Sequence, residues 1–302
     1  MPPRNVGAAT PADQRYLARP VLARVFLIAM FAGLSLAGLA RAQQRPLRTE
    51  DPTPIPAGAI LVELGVDAEI DRRFPLSGLE GDLYRLPYLG LSFGLGNVAE
   101  FQIDGGFNLL SVQDRDPAPL TQDLDFTGDM TTDIEDPVIA TKLRLLSETR
   151  RVPAVALRVA TRLPSASNES GLGTDTIDWF MTVLAGKTLG DLRVAANFGL
   201  GVLPLPRQGD RQNDVLTGGL SVSWRHAGGM EVVGEVNGRL DVQGEPPIGT
   251  EDRGQLRLGA RYPLGAFLGG RLRLDGGVLV GLTEVEPDVG ATVGLTAITR
   301  SF

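Results

Sequence analysis

An antiparallel transmembrane β-barrel of about twelve strands, following a cleaved signal peptide, is the fold the sequence predicts. Runs of about 10 residues alternate apolar and polar side chains, the signature of strands with two unlike faces. Connections between them alternate in length, short and then long, along the whole chain. Near the N-terminus lies the one apolar run long enough to direct export, so strands would have to do any crossing of a membrane.

That run is VFLIAMFAGLSLAGLA, Val25 to Ala40, preceded by Arg4, Arg15, Arg19 and Arg24 against a single acid, Asp13. Ala40-Arg41-Ala42 supplies a small-x-small site. A basic lead, an apolar stretch shorter than the roughly 20 residues of a spanning helix and such a site read as a signal peptide over residues 1–42, cut after Ala42. Residues 43–57, QQRPLRTEDPTPIPA, are proline-rich and polar and are expected to form a flexible periplasmic lead-in. The barrel domain is then 58–302.

Twelve strands are expected at 59–67, 83–93, 97–109, 136–146, 152–163, 177–188, 191–202, 214–225, 229–241, 253–262, 271–281 and 288–299. Pro87 interrupts the second, where it cannot donate to a ladder. LGN, SETRR, LG, HAGG and PLGAFLGG follow the even-numbered strands and are short. Connections after odd-numbered strands are mostly long and polar, as in PSASNESGLGTDT and PLPRQGDRQND. An outer-membrane barrel has short periplasmic turns and long outer loops, and the phase here is right for an N-terminus in the periplasm.

The stretch Gly229 to Val242 shows what the two faces carry. Val232, Gly234, Val236, Gly238 and Leu240 form one; Glu231, Val233, Glu235, Asn237, Arg239 and Asp241 form the other. In a barrel the first faces lipid and the second the lumen. The same projection places Glu63 and Asp67, Glu100 and Asp104, Lys142 and Arg144, Arg158 and Arg162, Arg193 and Arg225 inward. Arg257, Arg261, Arg271, Arg273 and Asp275 complete the set of lumen-lining candidates. Such a wall suits a narrow channel for small solutes, while ion pairs across it would close the lumen. Both readings stay open. Trp179, Trp224, Tyr262 and Phe101 are the candidates for interfacial aromatic positions.

The whole chain carries 29 basic and 36 acidic residues, a net charge of −7; removing residues 1–42 leaves 24 and 35, a net −11. That balance argues against nucleic acid as a partner. No cysteine is present, so no disulfide or thiolate metal site forms. No metal site, cofactor or catalytic residue is expected. The single histidine, His226, sits in a short turn, with Ser221 and Ser223 on the preceding strand. The acidic loop around Asp114 to Asp136 lacks the ordered spacing of a calcium loop and reads as a solvated outer loop. Gly171 to Asp175 has no lysine and opens no helix, so it is a turn rather than a phosphate cradle.

The segment Asp133 to Phe180 resembles the outer-membrane family known as the MetA pathway of phenol degradation. The shared features are Asp136 before a strand ending in Lys142 and Arg144, a Leu163-Pro164-Ser165 corner, and Gly171 to Thr174 before the next strand. Ser165-Ala166 departs from the Thr-Gly of the family pattern. The resemblance implies an outer-membrane barrel associated with uptake of hydrophobic or aromatic compounds. The chain ends in Phe302, as barrels do for their insertion machinery, although a bulge near Thr299 is needed to bring it into phase with lipid-facing Val289, Ala291, Val293, Leu295 and Ala297. Outer-membrane lipid, that machinery and small-molecule solutes are the expected partners. A closed structural or adhesion barrel, and a soluble periplasmic β-protein, are the alternatives.

Overall fold

A computed structural model describes residues 45–206, 211–242, 246–267 and 270–299. The leader and Phe302 lie outside these. Thirteen antiparallel strands form one sheet: β1 Ile60–Phe74, β2 Leu79–Leu95, β3 Ala99–Arg115, β4 Met130–Ile134, β5 Val138–Leu146, β6 Ala154–Arg162, β7 Asp178–Leu189, β8 Leu192–Pro204, β9 Gln212–Arg225, β10 Glu231–Asp241, β11 Arg253–Phe267, β12 Gly270–Gly281 and β13 Val289–Ile298. Each strand pairs with its sequence neighbours, except that β4 pairs only with the outer part of β3 while β5 takes the inner part. β1 pairs with β13 from Leu61↔Ile298 to Ile70↔Val289, which closes a barrel of twelve strands with β4 as an appendage.

Closure leaves the twelve-strand wall no edge, the condition for strands to cross a bilayer, where an unpaired backbone group costs several kcal/mol. Outward positions are apolar and exposed on strand after strand: Leu64 and Val66, Met181 and Val183, Phe198 and Leu200, Leu256 and Leu258, Val293 and Leu295. Such a continuous apolar exterior suits lipid and is far larger than a water-soluble surface carries. Trp179 stands at the outer end of the wall, and Trp224 and Tyr262 at the opposite end, all three exposed.

Strand boundaries depart from expectation in an informative way. β1 runs on to Phe74 and β2 starts at Leu79, so the first outer connection is the four-residue turn Pro75–Gly78 rather than a long loop. β2 tolerates Pro87 by a bulge: Arg85 still faces Asp67 and Tyr88 faces Gly65, but Leu86 and Pro87 are passed over. The inward face thereby switches from odd to even residues. No bulge interrupts β13, which keeps register through Ile298.

The acidic outer loop is folded, correcting the expectation of a solvated loop. A 3-10 turn at Thr121–Asp123 and the strand β4 shape it. Leu124 and Phe126 pack with Leu172 against Leu79, Leu110 and Val112, a small apolar core under the loop. Asp136 Oδ1 accepts from the amides of Ser165 (2.9 Å) and Ala166 (2.8 Å), and Asp133 Oδ2 from that of Ser167 (2.8 Å). The aspartate before the strand and the proline corner that follows the next one are therefore two halves of one cap.

Candidate functional site

Inside the barrel the inward side chains are mostly charged, and the N-terminal segment lies among them. Over its described part, residues 45–57, the segment expected as a loose lead-in at 43–57 is instead packed, since Arg45, Leu47, Thr49, Glu50 and Ile55 are buried. The segment follows the inner wall as a belt. Arg45 meets Asp275 of β12 (3.3 Å), Asp67 of β1 (3.4 Å) and Thr292 of β13 (2.5 Å). The carbonyl of Pro46 accepts from Arg257 of β11 (3.4 Å), and the amides of Arg48 and Thr49 donate to the two oxygens of Glu235 on β10, each at 2.7 Å. Asn197 of β8 brackets Glu50 through both backbone groups, at 2.8 and 3.0 Å. Asp51 pairs with Arg193, also on β8 (2.7 Å), while Glu50 pairs with Arg158 of β6 (3.2 Å) and Lys142 of β5 (3.6 Å). The amide of Ile55 donates to Glu100 of β3 (2.8 Å), and Gly58 donates to Gly94 of β2 (2.9 Å).

Glycines on the inward face make the close approach possible. A Cβ at Gly219 on β9 would stand 2.6 Å from Thr49 Oγ1, one at Gly186 on β7 would stand 2.9 Å from Pro52, and one at Gly65 would fall 2.2 Å from the guanidinium carbon of Arg45. With these contacts the belt touches every one of the twelve wall strands. Because ions buried this way are costly unless paired, the acids of the belt and wall are set opposite arginines and Lys142.

The expected lumen residues fall into distinct groups. Glu231 gathers Arg225 (2.8 Å), Arg273 (3.1 Å) and Arg261 (3.5 Å) toward the end of the barrel that carries the short turns. Arg257 lies 3.7 Å from Glu235, and Lys142 3.2 Å from Glu100. Glu63 accepts from the Arg45 amide (3.3 Å). Arg162 pairs with Asp178, and Arg239 donates to the carbonyls of Gly249 (2.8 Å) and Glu251 (3.2 Å) near the outer end. Arg144 and Arg271 are half-buried and Asp104 lines the central cavity. His226 lies apart, its ring edge against Trp224 at 5.4 Å, and Ser221 is buried on β9.

The lumen holds a central cavity and an outer one. The central one, of about 450 Å³, lies between the belt, at Arg45 to Glu50, and the wall residues Arg85, Asp104, Arg158, Asn197, Asn237 and Arg257. The outer one, of about 270 Å³, lies beneath the loops and shares Arg48, Asp67, Arg85, Glu135 and Val138 with the first. Arg85 holds both Asp67 (3.2 Å) and Glu135 at the junction, and the Tyr88 ring receives the guanidinium groups of Arg45 and Arg85 at 5.1 and 5.2 Å. Sequence reading missed Arg85 and Tyr88 because the Pro87 bulge reverses the face count. Arg253 was accessible to it, since it has the same parity as Arg257 and Arg261 on one strand.

Electrostatics outside the membrane-spanning wall reinforce the belt's anchorage. Burial alone would raise the Glu148 carboxyl, but the Thr188 amide and Arg193 outweigh it and hold it below its ordinary 4.5. Glu148 sits in the β5–β6 turn, 2.6 Å from the same Arg193 that holds Asp51 of the belt.

No protein-family model matches the chain, and no curated protein matches its sequence. Among solved structures, it is similar to the COG4313 outer membrane channel from Pseudomonas putida F1, at 15% identity and TM-score 0.58, covering 82% of this chain and 97% of that one. The translocator domain of the autotransporter NalP from Neisseria meningitidis matches at 11% identity and TM-score 0.45 over 91% and 97%. A loop-deletion form of OmpT from Vibrio cholerae matches at 10% and 0.42 over 80% and 99%. The first of these likenesses, together with the closed twelve-strand sheet, establishes the fold as an antiparallel twelve-strand β-barrel of the outer-membrane type.

Proposed function

We propose that the chain is an outer-membrane channel for small solutes, aromatic or anionic compounds among them, and that its belt narrows the lumen to the two connected cavities. The observation that carries this reading is the shared boundary of those cavities at Arg48, Asp67, Arg85, Glu135 and Val138, with Arg158 and Arg257 beyond it on the wall of the central one. Arginine guanidinium groups on such a path attract anions, and the low-dielectric wall strengthens their field. The Asp133–Phe180 motifs and the likeness to a COG4313 channel support membership in the MetA-pathway barrel family. Location in the outer membrane, with lipid around the apolar exterior and insertion directed by Phe302, belongs to the same proposal.

Planar-bilayer recording of the purified barrel across a KCl gradient tests it. Discrete conductance with anion preference is expected, and Arg158→Glu or Arg257→Glu should shift the reversal potential toward cations. Unchanged selectivity in both variants removes the arginine path. A belt in contact with every wall strand also favours a second reading, a closed structural barrel, and absence of any current would select it.

A further inference from the structure

The outer cavity has features that passage of ions does not require. Seven arginines and four carboxylates line it. Arg162 is paired with Asp178, and Arg72 and Arg253 share Glu286, yet the Nε atoms of all three are buried without a hydrogen-bond partner. With Asn108 Oδ1 and Glu135 Oε2, two acceptors in the same state, five such side-chain atoms belong to residues of this one cavity. Native interiors leave few polar groups in this state, so a concentration of them gives this cavity hydrogen-bonding capacity for water or a polar solute. Arg239 donates to the carbonyls of Gly249 and Glu251, at 2.8 and 3.2 Å, and is in the field of the Glu251, Asp178 and Glu286 carboxylates without a direct ion pair to one among the described residues. The same lining carries the apolar side chains of Phe74, Leu76 and Leu172.

A concave site with apolar side chains and a few convergent polar donors is the form of a small-molecule pocket. Arginine donors of fixed geometry select a planar carboxylate over a neutral oxygen. We propose that this outer vestibule binds a small carboxylate with an apolar body, its carboxylate on Arg162, Arg239 and Arg253 and its body on Phe74, Leu76 and Leu172. The inference rests on reading the lumen as a solute path, and it adds a saturable capture site at the entrance.

Isothermal titration of the full-length, detergent-folded barrel tests it, with benzoate as probe and acetate and benzyl alcohol as comparators. One saturable benzoate site is expected, with both comparators weaker by roughly tenfold or more, because each lacks one of the two kinds of contact. Arg239→Gln should weaken benzoate by roughly tenfold, the loss of one charge-assisted bond. Leu76→Asn should bring benzoate down to the affinity of acetate. Boiled and unboiled samples on a gel verify that each variant is a closed barrel, and Arg253→Gln takes the place of Arg239→Gln if that variant does not fold. No saturable binding, acetate equal to benzoate, or unaltered affinity in the folded arginine variant each overturns the proposal. Conductance of the same preparation separates the two readings: binding without current keeps the site and removes the channel, and current without binding does the reverse.

Discussion

Arg45 Nε donates to Asp275 Oδ1 at 3.3 Å, joining the belt to β12 across 230 residues of sequence, with both side chains buried. A buried charge left with no partner costs about 3–5 kcal/mol, and Arg45, which keeps Asp67 and Thr292, should lose a part of that when Asp275 is removed. Asp275→Ala should therefore lower the temperature at which the unboiled, fast-migrating form converts to the slow one, by more than Arg271→Ala does. Equal shifts would mean that the pair contributes nothing beyond any inward charge.

Deleting residues 45–56 should enlarge the single-channel conductance several-fold, since the belt occupies the lumen between all twelve wall strands. The deletion leaves Lys142, Arg193 and Glu235 without their belt partners, so the variant should also melt earlier. Conductance equal to the intact protein would show that the belt is not the constriction.

The chain has no cysteine, which makes a crosslink between belt and wall simple to interpret. Thr49 Oγ1 lies 2.6 Å from the position of a Cβ at Gly219, close enough for a disulfide in the double variant Thr49→Cys, Gly219→Cys. Because so many strands hold the belt, it is expected to stay seated during conduction, and the oxidised and reduced forms should carry the same current. A current that rises on reduction would identify the belt as a moving gate.

Glu148 gives a pH dependence with a definite sign. Burial would raise its carboxyl, but the Thr188 amide and Arg193 hold it below its ordinary value of 4.5. A depressed folded-state value means the contact stabilises above the unfolded value and is lost as pH falls through the folded one. Protease cleavage in the 147–153 turn should thus be slow at neutral pH and accelerate as pH falls below the ordinary carboxyl value of 4.5. Glu148→Gln should abolish that pH dependence by being cleaved readily throughout.

Phe126→Ser should open the acidic outer loop, because Phe126 and Leu124 cover Leu110 and Val112 at the outer rim. Truncating a fully buried phenylalanine costs about 3–5 kcal/mol, and the partly buried Phe126 should cost less than that. Surface proteolysis of intact cells should then cut within 116–129 in the variant and spare the parent.

Most of the wall could be read from the sequence because a strand's two faces alternate locally, and Glu231, Glu235, Arg257 and Arg261 all project inward as that alternation requires. What escaped was long-range. The belt has no alternation of its own and four prolines, at 46, 52, 54 and 56, the composition of an open linker. Its order comes from acids and glycines up to 249 residues away, as between Arg45 and Gly294. Arg85 and Tyr88 were hidden by the bulge at Pro87, where a single irregularity inverts every later assignment on the strand.

The belt also acts as a gauge. It meets the wall strands nearly in the order in which they stand, from Asp275 round to Glu100, with a fixed number of residues between one anchor and the next. A barrel's diameter grows with its strand number. One added hairpin would carry opposite walls out of reach of a strap that cannot lengthen, and one lost would leave it slack and its charges crowded. The perimeter of this barrel is thus written twice, once in the pairing of its strands and once in the length of chain laid inside them.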